Sequence, residues 1–340
     1  GAVLRGTGTV KGDLVFAADG TSILDVSASA SAPLKVAGTL TNAPTLRLAE
    51  TPERPIQVLA VTGENATLSA ANVRLPGTLS ATTAILLSAD RKTLYVGPRG
   101  TALAAYATES KPWSEQPWVD MALGLLVSDV DWTAVESVWL TPMAEVSVAL
   151  DVETFPALTA FSVGQHEGYT LALTGKPFSA PNLTSFAVEG NLTVEGSVLS
   201  AVPAMLSGSG VLTFRNSGEV IASNAGGSDT FAYNAFAGRW VVEAGTTLLL
   251  KGGGGRMGQL NWDSAVDGSG QIEVRTGGTV KLEGSHVFGW KDIDNQCDRT
   301  VLVLNGGALV NRAANYLRRT IELKNGATIS DPAGSFMLAR

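Results

Sequence analysis

The sequence predicts an all-β chain wound as a stacked β-solenoid, and three observations carry that prediction. Within residues 133–196 one apolar frame appears three times. Val135, Val138 and Leu140 recur as Leu158, Phe161 and Val163, then as Leu183, Phe186 and Val188, at steps of 23 and 25 residues. A second frame follows each copy: Val148 and Leu150, then Leu171 and Leu173 before Gly175, then Leu192 and Val194 before Gly196. Two short strands per near-constant period is what stacked repeats look like in sequence, each repeat burying its apolar face against the next. Composition is the third observation. Hydrophobic residues make up 45% of the 340 positions but aromatics only 6%, so the core material is Val, Leu and Ala. Small and β-branched side chains suit a narrow core between sheets. The 38 glycines against 14 prolines mark many tight turns, not a linker.

Residues 1–98 continue the theme. Val10, Leu14 and Phe16 precede the turn Asp19-Gly20; Ile23, Leu24 and Val26 follow, then Leu34 and Val36, then Leu46 and Leu48, then Ile56, Val58 and Leu59. Strands recur about every ten residues with Gly, Pro, Asn and Asp between them, as expected for an all-β chain. The segment closes on Ile85 and Leu87, the turn Asp90-Arg91-Lys92, and Leu94-Tyr95-Val96. Residues 105–131 break the pattern: Pro112 and Pro117 bracket Trp113, and the run Trp118 to Leu126 is the one place that suits a turn or two of helix. This divides the chain into a solenoid segment 1–104, a linker or insertion 105–131, and a second solenoid segment 132–340.

Residues 207–284 are punctuated by glycine. Gly208, Gly210, Leu212 and Phe214 form one strand motif; Gly238, Val242, Gly245, Thr246 and Leu248 form the next pair. Gly268, Gly270, Ile272 and Val274 repeat the first, and Gly278-Thr279-Val280-Lys281-Leu282 the second. Leu302, Leu304, Asn305-Gly306-Gly307 and Leu309 are echoed by Ile321, Leu323, Asn325-Gly326 and Ile329. These residues resemble the passenger-associated repeats of bacterial autotransporter proteins. That resemblance implies a right-handed parallel β-helix, export to the bacterial outer surface, and an adhesin-like role toward a glycan or a host or neighbouring-cell surface.

Charge and cysteine content narrow the partners. A formal net charge of −7 does not draw the chain to nucleic acid or anionic lipid. The single cysteine, Cys297, permits no internal disulfide. No run approaches the roughly 18 apolar residues of a spanning helix, so no membrane insertion is expected of this chain. Catalytic and ligand-binding residues were sought in turn. Trp113 and Trp118 are read first as packing a loop down onto the solenoid, and as the alternative, since they stand beside prolines, as a platform that could stack on a sugar face. Arg256 and Trp262, flanking the run Gly252–Gly255, could touch a partner. Asp292, Asp294 and Asp298, with Asn295, are the densest oxygen group and the weak metal candidate. Asp129 and Asp131 form a second acidic pair, and His166 and His286 are the only histidines; His166 and Glu167 sit in a turn between repeats. No nucleophile elbow, phosphate loop or paired-carboxylate signature assembles, and no cofactor is implied. The expected function is a non-catalytic structural or binding module at a cell surface; the competing reading is a carbohydrate-active β-helix enzyme, a polysaccharide lyase or glycoside hydrolase.

Overall fold

The computed structural model describes residues 2–5, 8–26, 33–203, 205–223, 236–251, 271–283, 300–312, 315–317, 320–332, 334 and 336–338. Among these, regular structure is β except for three single turns of 3-10 helix, Ala70–Asn72, Trp113–Glu115 and Gly196–Val198. None of them falls in the run Trp118 to Leu126 where the sequence left room for helix: that run forms the strand Val119–Asp120, a turn, and the start of the strand Leu125–Val127. The chain divides into two compact units, residues 1–104 with 117–131, and residues 105–116 with 132–340. The interval 105–131 is therefore shared out between the two.

The first unit opens with parallel pairing. Val3–Arg5, Ile23–Asp25 and Thr45–Arg47 form one ladder, and Gly8–Val10, Leu34–Val36 and Ile56–Val61 another. Leu24, Leu34, Val36, Leu46, Val58 and Leu59 point inward as a single buried cluster. From Ile56–Val61 onward the pairing changes sense. Thr93–Pro98 runs antiparallel to Ile56–Val61 and to Thr83–Leu87; Leu125–Val127 and Val119–Asp120 continue the antiparallel succession. This departs from the uninterrupted parallel solenoid expected over 1–98. The cause is chain length: only Ser88–Lys92 separates two of the strands, whereas a parallel return needs a crossover of about a dozen residues or more. The turn is closed by Asp90, whose Oδ1 accepts from the Lys92 amide at 3.0 Å, with Arg91 at φ +54°. Lys92 then anchors the neighbouring loop, its ammonium donating to the carbonyls of Gly63, Glu64 and Ala66 at 2.7, 2.8 and 2.6 Å.

In the second unit the described residues form four parallel ladders, one of them the two-stranded pair Asn315–Leu317 with Phe336–Leu338. Sheet I carries Ser137–Pro142, Ala160–Val163, Ser185–Val188 and Leu206–Ser207. Sheet II carries Val146–Leu150, Thr170–Gly175, Asn191–Glu195, Val211–Arg215, Arg239–Val242, Ile272–Arg275, Thr300–Asn305 and Thr320–Lys324. Sheet III carries Gly218–Ser223, Thr246–Lys251, Thr279–Glu283, Ala308–Asn311 and Thr328–Ser330. The predicted frame is the register of sheet I: Val138 pairs with Phe161 and Phe161 with Phe186, Leu140 with Val163 and Val163 with Val188. In sheet II the first copy is offset by two residues from the sequence reading. Val146, not Val148, faces Leu171, and Leu150 faces Gly175. A shift of two preserves the inward face, which is why apolar pattern alone did not distinguish the registers.

Inward positions stack as apolar columns. Leu171, Leu192, Leu212, Trp240, Ile272 and Leu302 form one buried column of sheet II; Leu173, Val194, Phe214, Val242, Val274 and Leu304 form the other. At the corner before sheet II the backbones come closest, and the residue there is glycine in successive repeats. A Cβ on Gly190 would lie 2.3 Å from the Gly164 oxygen, one on Gly210 2.0 Å from the Gly190 oxygen, and one on Gly238 2.0 Å from the Gly210 oxygen. Residues 107–116 cover the edge strand of sheet II. Pro112 bridges Ala149, the Ser110 hydroxyl accepts the Ser147 amide at 2.9 Å, and Ser114 hydrogen-bonds Asp151. An unpaired edge is thereby closed off.

Candidate ligand groove

Because strand side chains alternate, every second residue of sheet II faces outward. In the column running through Ser147, Ala172, Thr193, Thr213 and Val241 these residues are small or short. Longer side chains stand beyond them, and the result is a groove of about 550 Å³ extending from Ser110 and Ser147 to Arg275. A smaller hollow of about 410 Å³ continues past Arg215, Arg275 and Asn305.

Charged groups gather at one end. Arg215, Arg239 and Arg275 come from three successive strands, and two glutamates knit them together. Arg215 Nε donates to Glu243 Oε2 at 2.6 Å, and Arg275 Nη1 to Glu243 Oε1 at 2.7 Å. Arg275 Nε and Nη2 also donate to Glu273 at 3.1 and 3.3 Å, Asn305 Nδ2 donates to it at 3.2 Å, and Arg239 lies 3.6 Å away. The carboxylates lie underneath: Glu243 and Glu273 side chains are 17% and 12% exposed, the three guanidiniums 41–46%. Burial alone would push the Glu273 carboxyl upward. The Arg275 and Asn305 hydrogen bonds and the Arg275 and Arg239 charges together outweigh it, holding Glu273 below the ordinary glutamate range. Hydrogen bonding to Glu243 raises Arg215, and to Glu273 raises Arg275. At the opposite end Glu145 accepts the Thr170 amide at 3.0 Å.

A general acid for glycoside cleavage needs a carboxyl kept protonated near neutrality, and Glu273 is held in the opposite state. The groove lining contains no histidine and no cysteine. Among the described residues, no three His, Cys, Asp or Glu side chains are grouped to hold a metal. No helix among them is long and apolar enough to cross a membrane.

The residues singled out from sequence fall elsewhere. Trp113 is buried, its ring 5.5 Å from Trp132, 5.4 Å from Phe155 and 5.9 Å from Phe161. Trp118 is buried as well. Rings with no exposed face cannot stack on a sugar, so the ligand-platform role for Trp113 and Trp118 is corrected to core packing. Arg256, Trp262, His286, Asp292, Asp294, Cys297 and Asp298 lie outside the described residues. Asp129 contributes its backbone carbonyl to Arg99 at 2.8 Å. His166 stands in the turn expected for it, stacked on Tyr169 at 6.0 Å, whose hydroxyl donates to Glu167. Sequence reading missed Arg215, Arg239, Glu243, Glu273 and Arg275. Their signal was a charged residue at outward positions of successive strands, visible only once the register is known. No family model, curated protein or solved structure matches the chain.

Proposed function

We propose that the second unit of this chain is a non-catalytic β-solenoid, a right-handed parallel β-helix of the autotransporter-passenger kind, displaying a binding surface at a bacterial cell exterior. The observation that carries the reading is the outward face of sheet II, where Arg215, Arg239 and Arg275 of successive strands stand above a separately buried apolar core. A stack of this kind lets surface residues vary without disturbing the residues that hold it together. The half-exposed arginines that line the groove support binding of an anionic ligand there. The test is an array of immobilised glycans run beside a turnover assay on soluble polysaccharides. Retention on the array without chain cleavage is the expected result. Turnover abolished by Glu273→Gln, Asp292→Asn or Asp294→Asn would replace this reading with the carbohydrate-active enzyme.

A further inference from the structure

We infer that the groove on sheet II binds an extended acidic glycan, its carboxylate or sulfate groups held by Arg215 and Arg239; this rests on the binding-module reading above. Pitch is the first argument. The groove crosses six strands from Val146–Leu150 to Ile272–Arg275, a span of about 24 Å at the usual strand spacing. An extended pyranoside chain advances by roughly one strand spacing per sugar, so successive sugars meet successive strands. The floor offers matching chemistry: Asn191 keeps its Oδ1 after donating Nδ2 to the Gly168 carbonyl, beside the largely buried Thr193 and Thr213.

The second argument is the placement of charge. Arg215 uses Nε on Glu243, leaving both Nη groups without a partner among the described residues, and Arg239 touches Glu273 only at 3.6 Å. Glu243 fixes the guanidinium plane of Arg215 by a hydrogen bond while the cations stand outermost, so an approaching anion meets preorganised paired donors there and the less restrained Arg239 beside them. No aromatic ring lines the groove. A neutral sugar would lack a stacking face there, and the ionic contacts must supply the affinity. Glu145, at the far end, disfavours a second anionic group in that position and gives the bound chain a direction.

The experiment titrates the full chain by calorimetry with three hexasaccharides: an oligogalacturonate, a heparin-derived fragment, and a neutral cellooligosaccharide. The acidic probes are expected to bind and the neutral one to bind at least tenfold more weakly. Which acidic probe binds better separates carboxylate from sulfate recognition. Arg215→Gln and Arg239→Gln are each expected to weaken binding about tenfold, on the usual strength of a charge-assisted hydrogen bond. Lys281→Gln, on sheet III, removes the same charge away from the groove and is expected to leave affinity unchanged. Equal losses from Lys281→Gln and Arg215→Gln, equal binding of duplex DNA, or indifference to both arginine changes in variants with wild-type melting would overturn the assignment. Binding of neutral glycans that ignores the arginines would sink the groove assignment alone. Cleavage of the probes would sink the module reading instead.

Discussion

Replacing Gly210 by alanine tests the packing of the second unit at its tightest point. The added methyl would sit 2.0 Å from the Gly190 oxygen and 2.8 Å from the Glu189 carbonyl carbon. Both are backbone atoms, so no side chain can swing aside, and the two strands must separate by about 1.4 Å to reach ordinary contact. The same Gly190 oxygen accepts the Val211 amide at 3.0 Å, and the Gly210 oxygen accepts the Arg239 amide at 3.0 Å. Overpacking costs about 1–3 kcal/mol, and a buried backbone group left without its partner about 1–3 kcal/mol more. A loss of about 2–5 kcal/mol is therefore expected, a large share of the 5–15 kcal/mol that usually separates folded from unfolded states. Gly196→Ala is the matched comparison: its φ is +72°, but no atom lies within 4 Å of the new methyl. Only the left-handed backbone penalty applies there, about 1 kcal/mol. Urea unfolding followed by circular dichroism, with equal slopes required for comparison, reads the difference. A midpoint for Gly210→Ala at or above that of Gly196→Ala would refute the close-approach argument.

Three further outcomes follow from other parts of the structure. Trp113→Ala should destabilise the chain by about 3–5 kcal/mol, as expected for a buried aromatic, while Trp113→Phe should leave glycan binding untouched. A selective loss of binding in a stable Trp113→Phe variant would return the ring to a ligand role. Lys92→Met removes three charge-assisted hydrogen bonds and should cost about 2 kcal/mol, with faster proteolysis at residues 63–66; an unchanged melt and cleavage pattern would show that the lysine adds nothing. The lowered pKa of Glu273 fixes the sign of its pH dependence. Its contribution is present above the ordinary glutamate value of about 4.3 and is lost as pH falls through the lower folded value. Acid titration of Glu273→Gln should therefore lack part of the wild-type loss below that range, and superimposable acid limbs would contradict the ion-pair geometry.

How far the residues foretold this can be judged element by element. Val138, Phe161 and Phe186, with Leu140, Val163 and Val188, gave sheet I its register outright, because apolar periodicity reports which side chains share a buried column. The same signal could not separate Val146 from Val148 opposite Leu171, since both face inward. The reversal to antiparallel pairing near residue 90 was legible in the five-residue interval Ser88–Lys92, had connection length been weighed beside strand pattern. The groove was harder. Arg215 lies 28 residues from Glu243 and Glu243 32 from Arg275, so only Glu273 and Arg275, two residues apart on one strand, are marked as neighbours by local spacing. Trp113 and Trp118 misled in the opposite direction: large rings beside prolines announce themselves in a sequence, yet burial is decided by what packs around them.

The chain length between paired positions of sheet II varies widely while the pairing does not. Leu192 and Leu212 are 20 residues apart, Leu212 and Trp240 28, Trp240 and Ile272 32, and Leu302 and Ile321 19, yet each pair sits directly opposite. Every strand of that sheet finds its partner within one repeat along the chain, so no contact in it waits for distant segments to meet. Loop closure over such intervals grows only slowly in cost with length. Folding of this sheet can therefore spread from whichever neighbouring pair forms first, each completed strand templating the next. Assembly of the second unit becomes a zipping process whose speed is set by its first successful pair, and a chain emerging from a narrow passage could build it in order of emergence.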